Sequence, residues 1–60
     1  MSRFQELAEL EKAFNSGEIS AESAQKRAAQ LIGAFTKDRP SHARAVILWN
    51  KARAAVSSKQ

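Results

Sequence analysis

The stretch Ala45-Val46-Ile47-Leu48-Trp49 puts five apolar residues in a row, and how it is read decides the fold. A strand of that length needs turn signals close on both sides. The flanks, Ser41-His42-Ala43-Arg44 and Asn50-Lys51-Ala52-Arg53-Ala54-Ala55, instead continue as alanine-rich, charge-dotted helix formers. On a helix, at 100° per residue, the segment carries two apolar stripes. Ala45, Leu48, Trp49, Ala52, Ala55 and Val56 form the broader one, at spacings of three and four. Ala43, Val46, Ile47, Asn50 and Ala54 form a narrower one on the other side, with a single amide in its middle. A helix that is apolar over most of its circumference must be covered twice. Two other short helices can cover one side, so the second is expected to meet another molecule, such as a second copy of the chain.

Length sharpens that expectation. The 60 residues make one small helical domain over 1–60. A chain of this size buries only roughly 60% of its unfolded surface, so a solitary core is marginal. There is no cysteine, hence neither a disulfide nor a thiolate metal ligand, and self-association is the remaining common support. The opening Met1-Ser2-Arg3-Phe4-Gln5-Glu6 lacks the apolar core of a leader, and no apolar run approaches the ~18 residues of a membrane span. The expectation is a cytoplasmic protein without a membrane partner. A net charge of +4 fits either an acidic or nucleic-acid partner or ordinary solvated cations.

Outward from the apolar run, the chain reads as all-α, with three short helices at about 3–15, 21–36 and 41–56: a helical hairpin plus a third helix. Ser2 and Gln5 have capping-box spacing, and Phe4, Leu7, Leu10 and Phe14 line one face of the first helix. Glu11 interrupts that face. Its carboxylate either turns to water near Asn15 or pairs with an arginine across an interface. Asn15-Ser16-Gly17 stops the helix, and Ile19-Ser20 reads as staple residue and N-cap of the second. There Ala21, Ala24, Ala28, Leu31, Ile32 and Phe35 share about a third of the wheel, opposite Lys26, Arg27 and Gln30. Gly33 lies off the apolar arc, as an early fray or a close approach to a partner. Pro40 forces the second helix to stop by Arg39 and lets the third start at or just after the proline, capped by Asp38 or Ser41. Residues 57–60 read as a frayed polar tail. The expected intramolecular core is Phe4, Leu7, Leu10, Phe14, Leu31, Ile32, Phe35, Leu48 and Trp49.

Catalysis has little to work with. His42 is the one histidine, tyrosine is absent, and the serines are explained as caps or tail. Neither a glycine-rich phosphate loop nor a recognised metal-ligand spacing is present, so no catalytic, cofactor or metal residue is assigned and a non-enzyme is expected. Gln25, Ala28, Ala29, Leu31 and Gly33 are spaced as in a helix-turn-helix. In that register, however, the recognition helix would run through Pro40 and bury Arg39 and His42. A less specific nucleic-acid contact needs only clustered cations. Lys26, Arg27, Lys37, Arg44 and Lys51 are the candidate phosphate contacts, Arg44 and Lys51 lying a heptad apart on one helix.

Leu10, Ala13, Gly17, Ile19, Ser20, Leu31 and Ile32 resemble the spacing of the SHOCT-type helical hairpin over about residues 7–32. In that family a helix ends at a glycine, an isoleucine and a hydroxyl residue follow, and the second helix closes with paired aliphatics. The chain departs from the pattern at Ser23 and Ala24, where an acidic and an aromatic residue are preferred. The resemblance implies a short interaction or oligomerisation module. More faintly, Pro40, His42 and Arg44 resemble a stretch of the theta subunits of bacterial DNA polymerase III, which are small helical accessory proteins.

Together these readings favour a non-catalytic, dimeric helical adaptor or regulator that binds a protein through Ala43, Val46, Ile47, Asn50 and Ala54. The alternatives are a basic nucleic-acid-binding regulator and a phage- or plasmid-type inhibitor of a host protein.

Overall fold

The computed structural model describes residues 2–58 and contains three helices: α1 (Arg3–Ser16), α2 (Ala21–Ala34) and α3 (Arg39–Ser58). Among these residues there is no strand, and no helix is long and apolar enough to cross a membrane.

The caps are where local chemistry fixes the helix ends. Ser2, in extended backbone, accepts from the Gln5 amide, and Ser20 accepts from the Ser23 amide at 3.2 Å, each satisfying a donor of a first turn. Gly17 adopts φ 82°, ψ 11°. The amides of Gly17 and Glu18 then turn back to the carbonyls of Phe14 and Ala13, a Schellman closure that a side-chain-bearing residue enters only at a cost. The following staple residue, Ile19, packs against the core.

Four helix bounds differ from the sequence expectation, the first helix running one residue further, to Ser16. The second helix ends at Ala34, because Phe35 leaves helical geometry at φ −98°, ψ 42° while its amide still bonds the Leu31 carbonyl. The third begins at Arg39, one residue ahead of Pro40. Asp38 stands at its N-cap position: the Asp38 carbonyl accepts from the His42 amide at 2.8 Å, and its carboxylate accepts from the buried Ser41 hydroxyl at 2.8 Å. Proline tolerates this position because its missing N–H belongs to the unpaired first turn. Residues 57–58 of the expected frayed tail are helical, Ser58 donating its hydroxyl to the Ala55 carbonyl. The last two residues of that tail lie outside the described residues.

The core runs along α2 and α3, which share the most extensive helix contact; α1 and α3 share the least. Ala24, Ala28, Ala45 and Ala52 have no exposed surface, with Leu7, Leu10, Leu31, Phe35 and Leu48 around them. Ala21 and Ala28 are a heptad apart on α2, as are Ala45 and Ala52 on α3. Small side chains at that repeat let two backbones approach closely, and the leucines and phenylalanine of neighbouring turns fill the space beside them.

Phe4 is not core as expected: it is 55% exposed. Its wheel position lies about 90° from the centre of the buried arc defined by Leu7 and Leu10, and its ring meets that of Phe35 in a tilted contact at 5.4 Å between centroids. Phe14, Ile32 and Trp49 sit at the edge of the core, half-buried, rather than within it.

Candidate protein interface on the third helix

The side of α3 that meets the bundle is made by Ser41, Ala45, Leu48 and Ala52, all buried. Ala43, Val46, Ile47, Asn50 and Ala54 lie about 130° to 170° of helix rotation away from the centre of that arc. The structure leaves this stripe uncovered: Ala43, Ile47, Asn50 and Ala54 are exposed and Val46 is half-buried. The contrast is sharpest between neighbours, with Leu48 3% exposed and Ile47 56% exposed. Both apolar stripes of the helix are real, and the bundle covers one of them.

The margins of the stripe are cationic. Arg44 and Lys51 border it on the side facing α1, and Arg53 borders it on the other, with Arg39 near the helix start. No acidic residue occurs anywhere in α3. The acids lie on α1 and α2 and in the two connections, so the charge of the chain is unevenly spread.

Two of the cations are held. Arg44 donates to the Glu11 carboxylate of α1, an ion pair spanning 33 residues of chain in which the arginine side chain is 52% and the glutamate 29% exposed. Of the two sequence readings of Glu11, pairing with an arginine is the one observed, but the partner is in the same chain. The Arg53 guanidinium lies over the Trp49 ring at 5.3 Å, one turn along α3, a spacing readable from the sequence as a cation four residues after a tryptophan.

The five residues proposed as phosphate contacts do not gather on one element. Lys26 and Arg27 are exposed on α2, and Arg27 lines the open cleft between α1 and α2. Lys37 lies in the connection before α3, Arg44 is engaged by Glu11, and Lys51 has no ion-pair partner among the described residues. That cleft is a feature the sequence did not announce. Its floor is Leu10, Ala13, Ile19 and Leu31, and its rim mixes Arg3, Glu6, Glu9, Lys12, Glu18 and Arg27 without a net sign that would select a ligand.

His42 is a half-buried first-turn residue of α3. Among the described residues no three histidine, aspartate or glutamate side chains converge in a way that could hold a metal ion. Every buried side-chain nitrogen or oxygen among them has a hydrogen-bond partner.

What fold and face define is a class: a small all-α, three-helix protein with an exposed apolar stripe bordered by cations on its longest helix. Comparison with protein-family models, with curated proteins and with solved structures gives no match.

Proposed function

We propose that this chain is a small, non-catalytic adaptor or regulator whose working surface is the outer stripe of α3, completed by a second protein molecule. The observation that carries this reading is Ile47, a large aliphatic residue 56% exposed at the middle of an otherwise small-residue stripe. A contiguous apolar surface of that kind, rimmed by polar groups, is the usual mark of a protein contact.

Site-directed photocrosslinking in cells tests the proposal. A photoreactive residue at Ile47 is expected to give discrete protein adducts, and the same residue at Ala29, on the exposed side of α2, is not. Identical or absent adducts at the two positions remove the stripe as a working surface.

A second reading, a nucleic-acid-binding regulator, draws support from the absence of any acid in α3 beside Arg39, Arg44, Lys51 and Arg53. It is the weaker reading, because Glu11 pairs with Arg44 and phosphates have no use for the apolar stripe between these cations. Binding to duplex DNA or RNA that falls steeply with salt, and weakens on Lys51→Ala, is its signature.

A further inference from the structure

The outer stripe of α3 has a register. Ala43, Ile47, Asn50 and Ala54 follow one another at spacings of four, three and four, the alternation of a coiled-coil seam. The stripe spans about 16 Å at 1.5 Å per residue, three turns of helix. In heptad terms the positions flanking the seam are Arg44 and Lys51 on one side and Arg39, Val46 and Arg53 on the other. Every charged flanking residue is therefore basic.

Flanking charges set partner choice in such seams, because they meet the flanking charges of the facing helix. A second copy brings arginine and lysine against arginine and lysine whether it packs parallel or antiparallel. A helix with glutamate or aspartate at its flanks brings attraction on both margins. The remaining features suit a helix better than other anionic surfaces. Ala43 and Ala54 allow close backbone approach, and Asn50 presents an amide where a facing polar residue can fix the register. On a lipid surface that amide would sit unpaired at the centre of the inserting face, while a nucleic acid would leave Ile47 wet.

Resting on the protein-binding reading above, we infer that the outer stripe of α3 is a short docking seam for an amphipathic helix with acidic flanks, carried by a different protein. The steric fit comes from the small residues, and the choice of partner comes from Lys51, Arg53, Arg39 and the part of Arg44 not neutralised by Glu11.

The test uses the whole chain with two synthetic helical peptides that share an apolar seam and differ in glutamate or lysine at the flanking positions. The glutamate peptide is expected to bind roughly tenfold or more tightly than the lysine peptide, the ratio shrinking as salt rises. The double variant Lys51→Glu/Arg53→Glu is expected to reverse the preference, and Ile47→Asp to abolish binding of both, with helicity unchanged by circular dichroism. Equal affinity for the two peptides, or a preference indifferent to the charge reversal while Ile47→Asp still abolishes binding, overturns the charge assignment and leaves the adaptor reading standing. Binding that survives Ile47→Asp overturns both. Anionic phospholipid vesicles or duplex DNA binding more tightly than the glutamate peptide, or sedimentation showing a stable dimer of the chain alone, would assign the stripe to another occupant.

Discussion

Arg44 of α3 reaches Glu11 of α1, and it is the one ion pair between helices among the described residues. It bridges the helix pair that otherwise touches least. The pair therefore acts as a tether on α1 more than as a source of overall stability, since both partners are partly solvated. A double-mutant cycle with Glu11→Gln and Arg44→Gln is expected to give a coupling of about 0.5 kcal/mol that shrinks at high salt. Hydrogen exchange in α1 is expected to rise in either variant more than in α2; uniform protection loss over the three helices would show that the pair does not single out α1.

The two glycines are expected to respond to the same substitution with opposite signs. A Cβ at either position meets no atom within 4 Å, so the backbone alone decides. Gly17 holds φ 82°, where Ala costs roughly 1–2 kcal/mol. Gly33 lies inside α2 on its exposed side, where Ala contributes about 0.5–1 kcal/mol of stability by restricting the unfolded chain. Thermal melts read both, a change of 1 kcal/mol corresponding to about 4–8 °C in a domain of this size.

Alanines at the α2–α3 contact should resist enlargement. Ala28→Leu or Ala52→Leu forces methyl groups into positions with no exposed surface and is expected to destabilise by about 1–3 kcal/mol. Leu48→Ala, which empties the same interface, is expected to cost about 2–5 kcal/mol. Denaturant midpoints would measure both, and a neutral Ala28→Leu would mean that the two helices are not closely apposed.

The first turn of α3 depends on Asp38. Asp38→Ala is expected to leave the buried Ser41 hydroxyl without its acceptor, at a cost of about 1–3 kcal/mol in urea unfolding, so that the loss exceeds the ~1 kcal/mol of capping lost in Ser20→Ala at α2. The Ser41→Ala background should shrink the difference.

Phe4 and Phe35 separate stacking from burial. Phe35→Ala removes a ring that is 4% exposed and is expected to cost about 3–5 kcal/mol. Phe4→Ala loses chiefly the tilted ring contact, roughly 1 kcal/mol. Urea unfolding of the two variants distinguishes them.

The sequence by itself determined the helices, their order, the starts of the first two and the neighbourhood of the other ends, because caps, the glycine stop and the proline break act through groups only a few residues apart. It also separated the two stripes of α3, since helical periodicity is a local property of the chain. Tertiary structure decided what those local rules leave open. Phe4 and Leu7 share an apolar face of α1, yet only the packing of α2 shows that one is covered and the other stacked at the rim. Glu11 could have turned to water or found an arginine, and the choice depended on α3 lying within reach, a relation between residues 33 positions apart. Ala21, Ala24 and Ala28 already stood on the expected inner face of the second helix. That they share the core with Ala45 and Ala52, so that its centre is alanine with the large side chains around it, depended on which residues face one another once the helices have packed.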